Sequence, residues 1–477
     1  MKLDDAPAAL GSPAAEPSLY EVRKKIYPRA VTGWFAAWRW FFVWATQIVF
    51  YGGPWLSWND RQAVLFDIAH RKFYIFGLVF WPQDIIYLTV LLIISALSLF
   101  LFTAVAGRLW CGYACPQTVY TEIFLWIERR IEGDRNARMR LDREKNTALR
   151  KVYLKGMKHG AWIALSLWTG LTFVGYFTPI RELLSGFVHL SVGPWEAFWT
   201  FFYAFATYGN AGWMREQVCK YMCPYARFQS AMFDRDTLII TYDRERNEPR
   251  GKPKSIALKK IDADAAQPRG DCVDCGICVQ VCPTGIDIRD GLQYECIGCA
   301  ACIDGCNQVM DKLGRPRGLI RYSTQHAMEK KLSRGQMLRR AFRPRVLVYT
   351  AILGAIVIAA AASLYLRVPL KVDVIRDRAA ISREVEGGLI ENVYQVQIIN
   401  AEERSREFRI DVSGLPTIHV AGEGSATLPG TGTLMVPVKV RVAAGAAAPG
   451  KHRVQFTVSR IGPDAVSVTE DAIFIVR

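Results

Sequence analysis

The sequence predicts a multi-domain membrane protein with about five α-helical transmembrane spans. A cysteine-rich domain lies between the fourth and fifth spans along the chain, and an all-β domain follows the last span. Three observations predict this class: apolar runs of bilayer length, eight cysteines in two equally spaced runs, and a period-two apolar pattern after residue 368. The chain has 477 residues, a net charge of +16 and 51% apolar residues. That apolar fraction excludes intrinsic disorder.

The predicted spans are the apolar runs that approach or reach the ~20 residues a helix needs to cross a bilayer. They lie at 34–51, 85–106, 160–177, 195–211 and 346–366. The run 195–211 is the weaker one, since Glu196 lies at its start. The run 73–81 is too short to span, so we interpret it as interfacial or re-entrant, with membership of a sixth span left open. The N-terminus lacks the pattern of a cleaved signal peptide.

The positive charge is confined to particular segments, and this predicts the orientation in the membrane. Residues 108–158 carry 12 basic and 6 acidic residues, and residues 208–345 carry 24 and 16. Residues 368–477 carry 13 of each. Because Lys and Arg accumulate on the cytoplasmic side, we expect the basic segments to face the cytoplasm and the C-terminal domain to lie on the outer side, which is the periplasm if the membrane is a bacterial inner membrane. The charge then needs no nucleic-acid partner.

Eight cysteines form the strongest motif. They are Cys272, Cys275, Cys278 and Cys282, followed 24 residues on by Cys296, Cys299, Cys302 and Cys306. Each run reads C-x2-C-x2-C-x3-C, the spacing of bacterial ferredoxins with two [4Fe–4S] clusters, in which the fourth cysteine of each run ligates the other cluster. The spacing fits zinc poorly, and disulfides are disfavoured on the cytoplasmic side.

The ferredoxin pattern assigns each cysteine to one cluster. Cys272, Cys275, Cys278 and Cys306 are predicted to hold the first cluster, and Cys282, Cys296, Cys299 and Cys302 the second. The fourth cysteine of each run is expected to start a helix. Gly276 and Gly298 suit the tight bends of such loops. Asn307 departs from the pattern, because it stands where the repeat predicts proline.

The other four cysteines form a second internal repeat, C-x-Y-x-C-P, at the ends of the second and fourth predicted spans. Its members are Cys111, Cys115, Cys219 and Cys223. We call them the membrane-edge cysteines, after their predicted position. If each pair lies on one helix, its two thiols share a face. Four such thiols suit Cu(I) or an iron–sulfur centre, and a redox-active dithiol or inert buried cysteines are alternatives. Arg39, inside the first predicted span, is a further functional candidate, because a charge in hydrocarbon is costly.

The remaining segments complete the predicted domains. Residues 116–133 have helical apolar spacing and are expected to lie as an amphipathic helix on the inner membrane face. From residue 368, short β-branched runs separated by Gly and Pro predict about seven strands and an immunoglobulin-like sandwich. The predicted units are therefore the N-terminal segment 1–33, the four-helix region 34–211, the ferredoxin domain 212–345, the last span 346–366 and the outer domain 368–477.

Several stretches resemble the CcoG/FixG/RdxA family of cytochrome c oxidase accessory proteins. They are residues 65–68, 80–84, 108–118, 285–289 and 293–299. The resemblance covers nearly the whole chain, including the outer domain. Membrane relatives such as NapH share the C-x3-C-P elements but not that domain.

The resemblance implies a role in assembly of the cbb3-type oxidase, with reduction of Cu(II) to Cu(I) at Cys111, Cys115, Cys219 and Cys223. The implied partners are the oxidase assembly machinery, copper transporters or chaperones, a cytoplasmic electron donor and the lipid bilayer, with a homodimer left open. Two alternatives are an electron relay between quinol and ferredoxin without copper chemistry, and a structural assembly chaperone. Spacing alone predicts only electron transfer at a membrane.

Overall fold

The computed structural model describes residues 25–251, 270–377, 382–462 and 466–476, so most of the predicted segment 1–33 lies outside it. The first helix, α1 (Trp34–Gly52), coincides with the first predicted span. It has no side-chain cap of its own; instead Asp304 of the cysteine-rich domain accepts a hydrogen bond from the backbone N–H of Ala36 at 2.7 Å. A carboxylate at a helix N-terminus is favoured by the helix dipole. The cysteine-rich domain is thereby fastened to the start of α1.

The loop after α1 is built of short antiparallel strands. β1 (Ser57–Trp58) pairs with β2 (Arg61–Gln62), and a three-stranded sheet contains β3 (Val64–Asp67), β4 (Lys72–Ile75) and β5 (Leu78–Phe80). The interpretation of 73–81 as re-entrant or as part of a sixth span was therefore wrong. Aromatic and β-branched residues favour strands, and the sheet packs against the outer domain, with Val79 and Trp81 contacting Ile399.

Seven helices follow, and they bring the membrane-edge cysteines next to the cysteine-rich domain. They are α2 (Ile85–Ala106), α3 (Leu109–Tyr113), α4 (Pro116–Glu132), α5 (Arg135–Arg143), α6 (Leu149–Val174), α7 (Ile180–Val188) and α8 (Pro194–Thr207). Two π-helical segments, Tyr208–Met214 and Val218–Met222, then lead to α9 (Pro224–Met232).

The predicted amphipathic helix exists as α4, but its buried face packs inside the protein against α6 rather than lying free on a membrane surface. Glu128 and Glu132 on α4 are buried and contact cations from α5, α6 and the segment after α8. Arg138 lies 2.8 Å from Glu128, Arg215 lies 3.1 Å from Glu128, and Lys158 lies 3.0 Å from Glu132. Part of the basic run 135–158 therefore forms ion pairs inside the protein.

The cysteine-rich domain is closed by two distant strands that pair antiparallel. Its elements are β6 (Ile239–Tyr242), α10 (Arg244–Asn247), α11 (Ile277–Gln280), α12 (Ala301–Lys312), β7 (Ile320–Ser323), α13 (Gln325–Glu329) and α14 (Arg334–Ala341). β6 pairs with β7, and their buried Ile240 and Ile320 pack with Ile303 and several cysteines. The cysteine loops therefore lie against one small apolar core.

The next helix, α15 (Pro344–Tyr365), coincides with the last predicted span and packs against α2. In the described part of the chain, two helices are long and apolar enough to cross a membrane, Pro82–Ala106 and Pro344–Tyr365. The prediction of five spans is therefore not confirmed. α8 has 14 residues, short of the ~20 required, α6 begins in the basic run with Arg150, Lys151, Lys155 and Lys158, and α1 contains Arg39.

The outer domain is a sandwich of two antiparallel sheets, as predicted. One sheet has the order β12 (His419–Ala421), β14 (Thr433–Val442), β10 (Leu389–Asn400) and β8 (Leu370–Arg376), with β9 (Arg383–Val385) also paired to β10. The other has the order β13 (Ser425–Leu428), β11 (Arg406–Ser413), β15 (Gly450–Arg460) and β16 (Ser467–Val476). Alternating residues such as Val396, Phe408, Phe456 and Phe474 fill the core.

Candidate iron–sulfur centre

The two cysteine runs surround two adjacent cavities. The first cavity is lined by Cys272, Cys275, Cys278 and Cys306, together with apolar residues of α12 and β7. These are the four cysteines that the sequence assigns to one cluster. Cys306 comes from the second run and the other three from the first, so the fold brings together residues of both runs as the crosswise assignment predicts.

The second cavity is lined by Cys282, Cys296, Cys299 and Cys302, again one cysteine from one run and three from the other. Cys278 also reaches this cavity, and it is the one cysteine that lines both. Two centres held here would therefore be separated by little more than one side chain. That proximity suits electron exchange between them.

The loops that carry the first three cysteines of each run have the same backbone geometry. Asp274 and Gly276 have φ of 50° and 66°, and Gly298 and Ala300 have φ of 68° and 59°. Left-handed residues of this kind turn successive backbone N–H groups toward one side and make an anion-binding concavity. An iron–sulfur cluster with four thiolates is anionic, so the loops fit such a group.

The position of the fourth cysteines corrects one expectation. Cys306 does not start a helix: it lies inside α12, and Cys282 follows the end of α11. Asn307, the residue that departs from the ferredoxin pattern, is likewise interior to α12, and its side-chain oxygen accepts a hydrogen bond from the N–H of Gly318 at 3.1 Å. Proline inside a helix would remove a backbone hydrogen bond, which explains why asparagine fits here.

Burial controls the protonation of these thiols in the protein without bound metal. It raises the pKa of Cys296 and Cys306 to about 12 and that of Cys278 to about 11. Cluster ligands must be thiolates, so loading a cluster has to release protons and bring in compensating positive charge. In the described residues, no group of three or more His, Cys, Asp or Glu side chains is spaced for a single metal ion.

The membrane-edge cysteines lie in two matching turns, but neither pair shares a helix. Cys111 lies in α3 and Cys219 in a π-helical turn, whereas Cys115 and Cys223 are the extended N-cap residues of α4 and α9. The expectation of two thiols on one helix face was wrong, because a residue before proline is biased away from helical geometry. Pro116 and Pro224 therefore end one helix and begin the next.

The two pairs nevertheless come together. Cys111 and Cys219 both pack against an apolar cluster that contains Cys299. The Cys111 thiol donates to the side-chain oxygen of Gln229 on α9 at 3.3 Å, which joins the first pair to the helix that follows the second. Burial raises the pKa of the Cys111 and Cys219 thiols to about 12. Neighbouring thiols contribute in the same direction, since Cys115 lies close to both.

The first pair touches the backbone of the second cluster loop. A Cβ atom placed on Gly112 would lie 2.8 Å from both the Cα and the backbone nitrogen of Cys299, and one on Gly298 would lie 3.1 Å from the carbonyl of Arg108. A side chain at residue 112 would force this backbone to shift, and one at residue 298 would be tight and strained, because Gly298 has a φ of 68°. The backbone around the first thiol pair therefore contacts the backbone of the loop that lines the second cavity.

Sequence reasoning missed several side chains around this contact. Arg108 is buried and donates hydrogen bonds to the carbonyls of Tyr294 and Ala226. Tyr322 of β7 donates to the carbonyl of Gly298 at 2.5 Å. Arg39, the one candidate that the sequence did identify, is buried 3.9 Å from Glu122. Arg108 lies three residues before the first C-x-Y-x-C-P repeat, a signal that sequence reasoning could have used.

Comparison with known proteins gives close relatives along most of the chain. Protein RdxA of Cereibacter sphaeroides is 42% identical over 86% of this chain and 87% of its own length. Nitrogen fixation protein FixG of Rhizobium meliloti is 41% identical over 85% of this chain and 83% of its own length. The chain belongs to the FixG family. More distantly, Ferredoxin-type protein NapH of Haemophilus influenzae is 23% identical over 46% of the chain and 68% of its own length.

Family models match three parts of this FixG-family chain. A 4Fe-4S dicluster domain matches residues 214–325, and the IG-like fold at the C-terminus of FixG matches residues 360–477. These matches confirm the iron–sulfur and immunoglobulin-like predictions, and with them a 4Fe–4S electron-transfer protein. A 4Fe-4S binding domain also matches residues 88–133, which contain Cys111 and Cys115. That match associates the first pair of membrane-edge thiols with iron–sulfur binding.

Proposed function

We propose that this FixG-family chain reduces Cu(II) to Cu(I) at Cys111, Cys115, Cys219 and Cys223, for assembly of a cbb3-type cytochrome c oxidase. The observation that carries the proposal is the direct contact between Gly112, beside the first thiol, and the backbone of Cys299. In the described residues no three of these thiols are spaced for a single metal ion, so a substrate ion would have to draw them together, and it would then lie next to the second cavity. Each Cu(II) takes up one electron and leaves as Cu(I).

The chemistry of the thiols supports copper as the substrate. Soft sulfur ligands favour Cu(I) over harder ions. Because burial raises the pKa of Cys111 and Cys219, each binds a cation only by losing its proton, and protonation of the thiol again favours release. When bound, the [4Fe–4S] clusters supply one-electron transfer. The chain's residues hold both sites at a fixed separation.

The first cavity is the side at which electrons enter in this proposal. Cys275 is exposed, whereas Cys278 and Cys299 are buried. A protein donor can therefore approach the first cavity from solvent. The electron then passes toward the second cavity, which shares Cys278 with the first, and finally toward the membrane-edge thiols.

The cellular setting is part of the same proposal. The ferredoxin domain would face the cytoplasm, where a donor is available, and the outer sandwich would lie in the periplasm near the oxidase and the copper-handling proteins. The charge distribution supports this orientation, since residues 108–158 and 208–345 have an excess of basic residues and residues 368–477 have none. A homodimer would double the sites without altering the route.

A copper-reduction assay tests the proposal. Anaerobic protein is reduced with dithionite, freed of the excess dithionite and offered Cu(II), and Cu(I) is measured with a chromogenic chelator. We expect Cu(I) production by the wild-type chain and its loss in the fourfold Cys→Ala variant at positions 111, 115, 219 and 223. Unchanged production by that variant, at an unchanged iron content, would show that copper is not reduced at these thiols.

A second function is favoured by the 4Fe-4S binding domain match at residues 88–133. In that case the four membrane-edge thiols hold a third cluster, and the chain is an electron relay without copper chemistry. Iron analysis separates the two proposals. Eight irons per chain agree with two clusters and a copper site, whereas twelve irons, with four lost in the fourfold Cys→Ala variant, agree with a relay.

A further inference from the structure

Arg108 occupies a position between the two candidate sites that neither motif predicts. It follows α2 and lies one helical turn before Cys111, and its side chain is buried, with 7% of the residue exposed. Its guanidinium group donates to the carbonyl of Tyr294 and reaches that of Cys296 at 3.5 Å. Through its other terminal nitrogen it donates to the carbonyl of Ala226. One side chain therefore connects three segments: its own, which leads to Cys111, the loop with Tyr294 and Cys296, and α9.

Those three segments are the ones that carry the redox groups. Tyr294 and Cys296 belong to the loop of the second cavity, and Ala226 lies three residues after Cys223 on α9. The backbone of Arg108 takes part as well, since a Cβ on Gly298 would approach its carbonyl to 3.1 Å. Arg108 thus fixes the distance between the second cavity and both thiol pairs.

The charge of Arg108 is not neutralised by a carboxylate. In the described parts of the chain its hydrogen-bond partners are backbone carbonyls, and its Nε atom is buried without a partner. Arg289 at the first cavity is different: it lies 2.5 Å from Asp274 and 2.6 Å from Asp287. A buried cation without a counter-ion acts strongly on nearby groups because the local dielectric constant is low.

We infer that Arg108 is a positioning residue whose uncompensated charge stabilises the reduced state of the second cluster and holds that cluster against the membrane-edge thiols. Reduction adds one negative charge at the second cavity, and a fixed cation favours that addition. Hydrogen bonding and local charge are known means of tuning cluster potentials. The inference deepens the proposed function, because it concerns the last step before the thiols, but its test needs no copper.

The test compares Arg108→Gln and Arg108→Lys in the full-length, cluster-loaded protein. EPR-monitored redox titration gives the midpoint potential of each cluster, and iron analysis gives occupancy. In Arg108→Gln we expect one cluster to shift at least tenfold toward its oxidised form at equilibrium, about 59 mV for a one-electron couple. Arg108→Lys, which keeps the charge, should stay near the wild-type potential. Arg334→Gln removes a cation from an exposed position on α14; it is the control, and should leave that cluster's potential unchanged.

Each outcome decides the inference. A selective shift in Arg108→Gln that lysine rescues supports it, as does loss of four irons in the glutamine variant alone. Unchanged potentials at full occupancy in both variants would overturn it, and so would equal loss of iron in both, since that result assigns Arg108 a packing role only. If the shift occurs but the wild-type chain reduces no Cu(II), the proposed function fails and this inference stands.

Discussion

At the level of single residues, Cys306 and Asn307 show how the second cysteine run is built into α12. All eight ferredoxin cysteines line the two cavities in the sets that spacing predicts. Cys306 and Asn307 lie inside α12, however, where a helix start was expected. The motif fixes ligand order along the chain, but helix boundaries depend on packing around Ile303 and Met310, which spacing does not encode.

Asn307→Pro restores the residue that the ferredoxin repeat would have, and we expect it to damage the protein. Proline in a helix interior costs about 3 kcal/mol, and the strain falls on the residue next to Cys306. We expect a lower unfolding temperature and a decrease from eight irons toward four. Asn307→Ala serves as the control, because it loses the hydrogen bond to Gly318 but keeps the helix. Full iron content in the proline variant would contradict the helical position of residue 307.

Gly112→Ala tests the contact between the thiol pair and the cluster loop. An added methyl group would lie 2.8 Å from two backbone atoms of Cys299, so α3 and the loop must separate. We expect a severalfold lower rate of Cu(I) production, with perturbed EPR of one cluster. Gly160→Ala on α6 is the matched control, since nothing lies within 4 Å of its Cβ position. Equal rates in the two variants would show that the contact does not matter.

At the level of elements, the buried ion pairs of α4 were not predictable from periodicity. Apolar spacing placed α4 correctly along the chain, but it assigned Glu128 to a solvent-facing side. The structure buries Glu128 among Arg138, Lys158 and Arg215. These cations come from three other segments, and pairing over such distances leaves no local signal in the sequence.

Glu128→Gln measures how much this network stabilises the fold. Removal of one member of a buried ion pair leaves an uncompensated charge, here on Arg138, whose side chain is 1% exposed. We expect a loss of about 3 kcal/mol, seen as a lower unfolding temperature in detergent. Glu144→Gln breaks an exposed pair with Arg150 and should change the unfolding temperature little. Equal stability of both variants would argue against a buried network.

The outer domain offers a pH-dependent prediction at Glu391 on β10. Burial alone would raise the pKa of Glu391, but hydrogen bonds from Arg441 and Arg383 outweigh it and lower that pKa. A lowered carboxyl pKa stabilises the fold above the unfolded-state value of about 4.3, and the contribution is lost as pH falls through the folded-state pKa. Unfolding of residues 368–477 by guanidinium should therefore show a loss of stability below about pH 4.3.

Glu391→Gln is the variant for that experiment. It should cost about 2 kcal/mol at neutral pH, typical of hydrogen bonds to a charged group, and should reduce the loss at low pH. Glu407→Gln, an exposed position on β11, is the control and should keep the wild-type pH profile. An identical pH dependence in all three proteins would contradict the role assigned to Glu391.

For the whole molecule, the cysteine spacing and the period-two pattern predicted a ferredoxin domain and an immunoglobulin-like domain, which family matches confirm, whereas the number of spans could not be read from hydropathy alone. α2 and α15 satisfy the length and hydropathy of a span, and they pack against each other. α1, α6 and α8 form at the predicted places but carry charges or are too short. Helices that bury Arg39 or Lys158 against protein partners differ from lipid-facing ones, and this distinction requires the tertiary structure.

The arrangement of the whole molecule connects a solvent-facing cysteine loop to four thiols at the membrane edge through two adjacent cavities. Cys275 is exposed at one end, Cys278 lines both cavities, and Gly112 contacts Cys299 at the other end. The central claim is that electrons leave through the thiols. In the competing route, Cu(II) oxidises a cluster directly at the exposed end. A variant that lacks only the four membrane-edge thiols measures the rate of that route.

The most direct measurement is a single-turnover experiment on fully reduced, anaerobic protein mixed with Cu(II). Cluster oxidation is followed by EPR after freeze-quenching, and Cu(I) by chelator absorbance. We expect one Cu(I) for each electron lost from the wild-type clusters, and clusters that stay reduced in the fourfold Cys→Ala variant at positions 111, 115, 219 and 223. Equally fast cluster oxidation and Cu(I) formation in that variant, at equal iron content, would contradict the account.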